Sequence, residues 1–393
     1  MYSLLYLISD KYNQIVNQER IGVISIPFER LICSGDECAK FIRSVLNDRE
    51  IDLPNEVDSY YQFKKDRATH AVLTFLIGLV FFDFLDISGK IASAFFPNNP
   101  DKKKDTERLW MFTALYHDWA YTSPKIENPH LVFHEKYDLL SDNYSDNGLQ
   151  CLSFFSTTHP EAFAHNYEQI RAYDRYARAY HLNSTNRHNH KKSNKPKEVI
   201  DHGILGGITI FNRLVRNAIR INRMSEKELL VYKSACITIA QHNIFKSDSP
   251  DRDSLYKKYS GGDELEYLYF NNGFSIGIDK PLLYLLCLVD TFECIKRFGQ
   301  SENKGEYLQT KTVLENINLK IEGSLISIDY SNLLAHIQRE RKKAVEYCFS
   351  ERYIKGIEQL GFWTDITVRT IDEDNAIHTR FELLKTDDLS ALE

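Results

Sequence analysis

The sequence predicts a mainly helical protein that carries a small α+β appendix. Over about residues 62–298, apolar side chains recur at three- and four-residue intervals, which is the spacing of one face of a helix. After about residue 305 the pattern changes to short runs in which apolar and polar residues alternate, as they do in half-buried strands. With 393 residues the chain is also too long for one compact core, so we expect two or three structural units.

The first predicted unit is an N-terminal segment, residues 1–60. It contains a helix from Leu4 to Val16 and a short β-like run from Val23 to Ile26, which Pro27 stops. Beyond this segment, the most apolar run of the chain, Ala71 to Leu85, is too short to cross a bilayer and includes an aspartate. We therefore predict that this run is a helix buried inside the protein.

Residues 61–304 form the predicted helical domain, and residues 305–393 form the appendix. Two polar stretches interrupt the helices, at 96–105 and at 183–197, and we interpret both as loops. In the appendix, a Gly-Ser pair offers a tight turn between two alternating runs, which predicts a hairpin. The whole appendix is predicted as ββαββ, with strands at 317–321 and 326–330, a helix over 333–360, and strands at 366–371 and 377–381.

The composition excludes several classes of protein. There are 49 Lys and Arg against 55 Asp and Glu, and a net charge of −6 does not favour broad electrostatic adhesion to nucleic acid or to an anionic membrane. Seven cysteines occur in no CxxC pair, which favours reduced thiols and a cytoplasmic protein. The start of the sequence lacks the basic and small-residue features of a signal peptide. The chain has no P-loop, dinucleotide-binding or serine-hydrolase motif.

Ionisable side chains recur on or next to the apolar faces of five predicted helices. Burying such a side chain is costly unless it is paired or coordinated. Six of them together need a compensating interaction, and a divalent metal ion bound by imidazole and carboxylate groups supplies one. No cysteine lies among them, which argues against a structural zinc site of the thiolate type. The six candidate ligands are His70, His117, Asp118, His202, His242 and Asp290.

In this order the six residues resemble the H…HD…H…H…D signature of the HD-domain metal-dependent phosphohydrolases. The neighbouring sequences are similar to the family's motifs as well, since RATH ends in His70, ALYHD ends in Asp118, ITIAQHN contains His242 and LCLVDTF contains Asp290. The resemblance covers about residues 62–298 and says nothing of the N-terminal segment or the appendix. It implies that the helical domain is an HD-type helical bundle.

The resemblance also implies an enzyme with two divalent transition-metal ions, iron or manganese first, with cobalt, nickel, zinc or magnesium as alternatives. The implied ligands of the first ion are His70, His117, Asp118 and Asp290. The implied ligands of the second ion are His202 and His242, with Asp118 bridging. The reaction would be hydrolysis of a phosphoester or phosphoanhydride of a nucleotide-type substrate by a metal-bridged hydroxide, and the implied catalytic groups are Asp118, His202 and His242.

The family pattern specifies the substrate contacts less closely. Arg67, Lys125 and Tyr121 are candidate contacts, and Tyr121 stands where cyclic-dinucleotide phosphodiesterases of the HD-GYP type carry a lysine. Asp201 either orients the histidine after it or caps the following helix. The expected partner is a small phosphorylated or nucleotide substrate, not a membrane. Two alternatives stay open: a single-strand nuclease, because of the basic stretch at 187–197, and a non-catalytic nucleotide-sensing module.

Overall fold

The structure of the chain is a computed structural model. Most of the residues it describes are helical, so the prediction of a mainly helical protein is confirmed. The chain folds as two compact units, one made of Met1–Tyr116 with Asn271–Glu393 and the other of His117–Phe270. The division expected from sequence, into residues 1–60, 61–304 and 305–393, stays a prediction. The structure describes residues 2–17, 25–46, 65–84, 87–98, 100, 102–118, 203, 207, 210, 232, 234–236, 238–239, 242, 281–293, 310–322, 325–335, 337–339, 341–342, 365–369 and 377–379.

The helices of the first unit follow the apolar periodicity of the sequence. Helix α1 (Leu4–Asn17) confirms the helix predicted from Leu4 to Val16. Of the run predicted as a strand over 23–26, Ser25 and Ile26 are described, and both lie outside regular secondary structure. The other described helices of this unit are α2 (Phe28–Cys33), α3 (Gly35–Leu46), α4 (Lys65–Phe84), α5 (Ile87–Phe95), α6 (Lys102–Tyr116), α7 (Pro281–Phe292) and α8 (Thr310–Glu315).

Helix α4 is the central helix of the first unit. Its residues 68–82 are all buried, and the helix contacts α1, α3, α5, α6 and α7. The buried helix predicted for this apolar run is therefore confirmed. Trp110 of α6 packs over Gly78, where an added Cβ would lie 2.1 Å from the indole ring. Its Nε1 donates a hydrogen bond to the carbonyl oxygen of Phe75 (2.9 Å), so the indole joins α6 to α4 by packing and by a polar contact.

The described helices fall short of a single membrane span. None of them is, by itself, long and apolar enough to cross a membrane. Helices α4 and α5 reach the necessary length and apolar composition only when they are taken together, across a bend of 93°.

A five-stranded sheet also belongs to the first unit. Strands β2 (Asn318–Glu322) and β3 (Leu325–Asp329) lie in the two arms of the predicted hairpin and pair antiparallel. Strand β3 pairs in parallel with β4 (Asp365–Arg369), and β4 pairs antiparallel with β5 (Ile377–Thr379). A parallel pair needs a long crossover connection. The described helical residues 335, 337–339 and 341–342 lie in that crossover, within the predicted helix over 333–360.

The sheet includes one strand that the sequence does not predict. Strand β1 consists of Tyr2–Ser3 and pairs antiparallel with β2, so that Tyr2 lies opposite Leu319. Next to this pair, the amide of Leu4 donates a hydrogen bond to the carbonyl oxygen of Ile317 (2.8 Å). Two residues are too few to show an alternating pattern, which is why the sequence does not reveal this strand. The two segments at opposite ends of the sequence thus meet in one sheet.

The loop predicted over 96–105 is shorter in the structure, because α6 begins at Lys102. The hydroxyl of Thr106 donates a hydrogen bond to the carbonyl oxygen of Lys102 (2.6 Å). Asp105 lies in the first turn, where a carboxylate interacts favourably with the positive end of the helix dipole. The lysine run that looks like a loop in the sequence therefore forms the first turn of a helix.

Candidate metal centre

The second unit holds a buried cluster of two histidines and one aspartate. His117 and Asp118 come directly after the last residue of α6 and lie in a turn. His242 lies in a turn that follows the helical residues 238–239. The three residues are at most 1% exposed. Because all three are polar and ionisable, their burial needs a specific interaction that offsets the loss of hydration.

The separations of the ligand atoms suit a shared metal ion. Asp118 Oδ1 is 3.5 Å from His117 Nε2 and 3.8 Å from His242 Nε2, and one ligand atom from each residue lies within 4.8 Å of the others. Both distances exceed the range of about 2.7–3.2 Å for N–H···O hydrogen bonds. Two ligand atoms bound about 2.1 Å from one tetrahedral ion are about 3.4 Å apart. The cluster therefore fits a common divalent ion better than direct hydrogen bonds between its members.

The local backbone fixes the tautomer and the orientation of the His242 ring. Its Nδ1 donates a hydrogen bond to the carbonyl oxygen of Ile239 (2.6 Å), and this assigns the proton because a carbonyl oxygen only accepts. In the neutral imidazole the lone pair then lies on Nε2, the atom nearer Asp118. The rings of His117 and His242 meet edge to face, with centroids 5.2 Å apart. His242 thus directs its unprotonated nitrogen towards the carboxylate.

Gly203 packs against the ring of His242. It is helical and buried, and an added Cβ would lie 2.7 Å from the carbonyl oxygen of Ile239 and 2.9 Å from Nδ1 and Cε1 of His242. Real Cβ atoms do not approach other heavy atoms this closely, so glycine is required for this contact. The predicted ligand that precedes Gly203, His202, lies outside the described residues.

Replacing Gly203 with alanine should therefore disturb the cluster. The added methyl group has to displace the imidazole of His242 or the backbone of Ile239, and we expect the free energy of unfolding to fall by about 1–3 kcal/mol, measured by urea unfolding. The matched control is Gly35→Ala at the half-buried first residue of α3, which should change stability by less than about 1 kcal/mol. Equal stability of wild type and Gly203→Ala would show that the close approach does not exist in solution.

A second cluster lies within the first unit, around His70 of α4. The Nε2 atom of His70 is 3.2 Å from Oδ1 of Asp290, which lies on α7. On the opposite side of the ring, Nδ1 is hydrogen-bonded to Oε2 of Glu293, the residue directly after α7. All three side chains are buried. One imidazole ring therefore lies between two carboxylates, and the 3.2 Å separation on the Asp290 side also suits two ligands of one ion.

Of these two carboxylates, the sequence pattern predicts Asp290 but not Glu293. The sequence does contain a signal for Glu293: it lies three residues after Asp290, and residues three apart share a helix face. Its amide donates a hydrogen bond to the carbonyl oxygen of Val289 (2.8 Å), so the helical bonding pattern extends to it. Arg67, a candidate substrate contact, is half-buried on α4, three residues before His70. The other candidate contacts, Lys125 and Tyr121, lie outside the described residues.

The chemistry of the two clusters fits a divalent transition-metal ion. Their ligand atoms are imidazole nitrogens and carboxylate oxygens, which such ions bind in proteins.

Two buried cysteines are not in the form that binds a metal. Burial raises the pKa of the Cys236 thiol, and it raises the pKa of the Cys38 thiol to about 12. Both thiols therefore stay protonated near neutral pH and pack as small apolar groups rather than as thiolate ligands.

Comparison with known proteins gives no family assignment for this chain. No protein-family model matches the chain, and neither a curated protein nor a solved structure matches it. The resemblance to HD-domain phosphohydrolases therefore depends on the order, spacing and neighbours of six residues, and it stays a prediction.

Proposed function

We propose that the chain is a metal-dependent phosphohydrolase that hydrolyses a phosphoester or phosphoanhydride of a nucleotide-type substrate. The observation that supports this best is the buried cluster of His117, Asp118 and His242, whose separations suit one ion. The H…HD…H…H…D order along the chain favours phosphoryl chemistry over a purely structural metal site. The sequence pattern adds His70 and Asp290 as further proposed metal ligands.

The proposal has an architectural part as well. The helical domain over 61–304 would be an HD-type bundle, and the segment over 305–393 would be a ββαββ appendix to it. The mainly helical character and the strands at 318–322 and 325–329 agree with this arrangement. The His202 side chain would complete the ligand set next to Gly203, whose helical backbone packs against His242.

In this mechanism the protein groups hold the cations and fix the orientation of the ligands. When bound, the divalent ions would generate a nucleophile from water at neutral pH and neutralise the negative charge that develops on the phosphoryl oxygens. Asp118 supplies the negative charge that retains a cation in the interior, and His242 presents a lone pair that its contact with Ile239 has fixed. Because the site is buried, these electrostatic interactions are stronger than they would be in water. Arg67 is the described candidate for a forked contact to a substrate phosphate.

The test is metal analysis followed by turnover of a phosphoester panel. Protein purified with added Mn²⁺ or Fe²⁺ should retain about two ions per chain after desalting, and it should hydrolyse one class among mononucleotides, cyclic nucleotides and dinucleotides. His242→Ala should lower both the metal content and the turnover. By the proposed pattern, His70→Ala in the first-unit cluster should also lower both. The control is Asp10→Ala at an exposed position, which should lower neither.

The same panel separates the alternatives. The net charge of −6 favours a small substrate, so cleavage of single-stranded DNA or RNA with no activity on nucleotides would favour the nuclease. Metal-dependent nucleotide binding without turnover would favour the sensing module. A folded protein that retains no ion and turns over nothing in the panel would defeat the proposal.

A further inference from the structure

We propose that Glu293 is a positioning residue that fixes the ring of His70 and strengthens its metal-binding nitrogen. This inference rests on the proposed function, in which His70 and Asp290 bind a metal ion. Glu293 is 2% exposed, and its Oε2 accepts a hydrogen bond from Nδ1 of His70. The H…HD…H…H…D pattern gives Glu293 no role.

Helix α7 presents both carboxylates to the one ring. Asp290 and Glu293 are three residues apart, and the hydrogen bond from the Glu293 amide to Val289 (2.8 Å) keeps the helical geometry that places them on one face. Asp290 lies 3.2 Å from Nε2 of His70, whereas Glu293 contacts Nδ1. The imidazole is therefore fixed by its hydrogen bond at Nδ1, and it cannot turn over without breaking that contact to Glu293.

The hydrogen bond to Glu293 determines which nitrogen can bind a metal. An ionised carboxylate only accepts hydrogen bonds, so Nδ1 of His70 has to carry a proton. In the neutral ring the lone pair then lies on Nε2, on the side of Asp290. A carboxylate hydrogen-bonded to the far nitrogen also raises the basicity of the ligating nitrogen. Glu293 would thus set both the direction and the strength of His70 as a ligand.

The two described clusters differ in this respect. His242 donates its Nδ1 proton to the neutral carbonyl oxygen of Ile239 (2.6 Å), whereas His70 donates to an anionic carboxylate. Both imidazole rings therefore carry their proton on Nδ1. The acceptor is a neutral carbonyl group for His242 and a carboxylate for His70. His70 is the stronger ligand of the two, and the ion that it binds with Asp290 is expected to be the last one removed by a chelator.

A purely structural role for Glu293 makes different predictions. A contact that only joined α4 to α7 would contribute to the free energy of unfolding, but it would not change how tightly the folded protein binds a metal ion. Glu293→Gln retains the size of the side chain and a carbonyl acceptor while removing the charge. Glu293→Leu removes the acceptor, and the exposed Glu315 of α8 offers the matched control variants Glu315→Gln and Glu315→Leu.

The experiment combines NMR of the full chain labelled with ¹⁵N-histidine and calorimetric titration with Mn²⁺. In metal-free wild type, His70 should show a slowly exchanging Nδ1–H proton shifted downfield by its carboxylate partner, assigned by its loss in His70→Ala. This signal should persist in Glu293→Gln and disappear in Glu293→Leu. Mn²⁺ affinity should fall about 10–100-fold in Glu293→Leu and less in Glu293→Gln, while the number of bound ions and the behaviour of both Glu315 variants stay unchanged.

Two failures can be told apart. If wild type binds Mn²⁺ but the Nδ1–H signal is absent, or if Glu293→Gln and Glu293→Leu bind Mn²⁺ as tightly as wild type, the positioning role is overturned and the proposed function stands. If wild type shows the signal but binds no Mn²⁺, the proposed function fails, and the contact of Glu293 with His70 is reduced to a structural one. If Glu293→Leu fails to fold, the Mn²⁺ affinity of Glu293→Gln decides: a lower affinity than wild type supports the positioning role, and an equal affinity overturns it.

Discussion

Replacing Asp118 with alanine is expected to reduce hydrolysis by at least about a thousandfold, equivalent to about 4 kcal/mol of transition-state stabilisation. Its carboxylate lies 3.5 Å from Nε2 of His117 and 3.8 Å from Nε2 of His242, so it is the negative charge shared by both histidines of the second-unit cluster. Without it the buried site loses the group that compensates a cation. The measurement is kcat/KM on the substrate identified in the phosphoester panel.

Metal binding should disappear together with activity in this variant. A ligand that binds only the native state stabilises it by RT ln(1 + [L]/Kd), which is about 2.7 kcal/mol at a hundredfold excess over Kd. Mn²⁺ should therefore raise the Tm of wild type, and most of this shift should be lost in Asp118→Ala. Asp10→Ala, at an exposed position on α1, is the control and should retain both the shift and the turnover. Wild-type turnover in Asp118→Ala would defeat the mechanism.

The largest effect on stability is expected at Trp110. Among the described residues it has the largest fully buried side chain, and its Nε1 donates a hydrogen bond to Phe75 of α4. Trp110→Ala leaves a cavity between α4 and α6, and it should lower the free energy of unfolding by about 3–5 kcal/mol in urea unfolding. Leu334, which is 47% exposed, is the control, and its replacement by alanine should cost less than about 1 kcal/mol.

The contact between Gly78 and Trp110 can be tested by making Gly78→Ala in two backgrounds, because its effect on stability should change when the indole is removed. In the wild-type background, Gly78→Ala places a Cβ 2.1 Å from the indole of Trp110 and should destabilise the protein by about 1–3 kcal/mol. In the Trp110→Ala background the ring is gone, and alanine is favoured over glycine in a helix by about 1 kcal/mol. The same substitution should then be neutral or stabilising. If the two changes destabilise additively, the two residues are not in contact.

Local patterns predicted much of the helical framework. The apolar run in α4 is buried over residues 68–82, and α1 matches its predicted range. Both helices could be predicted because buried helix positions are apolar and recur in the sequence at helical spacing or as a continuous run. The first turn of α6 resembles a loop in the sequence because its lysines are exposed and do not follow the apolar spacing of a helix. Strand β1 was missed because its partner, β2, lies far along the chain and only two residues take part.

The candidate site shows the same limit. Single histidines and aspartates on apolar helix faces can be identified from the sequence, because the neighbouring positions on the same face are apolar and a buried ionisable group is costly. Glu293 was not visible as a partner of His70, because the contact joins residues more than 200 positions apart and depends on how α7 packs against α4. The close approach of Gly203 to His242 leaves no sequence signal either, because it is a property of tertiary packing.

The pairing of β1 with β2 constrains the order in which the chain can fold during synthesis. Tyr2 and Leu319 are about 300 residues apart, and closing so long a loop costs chain entropy before the contact stabilises anything. The ribosome has to produce β2 before β1 finds its partner, whereas His117–Phe270 is one continuous stretch that emerges earlier. The second unit can therefore complete its fold before the last strands of the first unit have been synthesised.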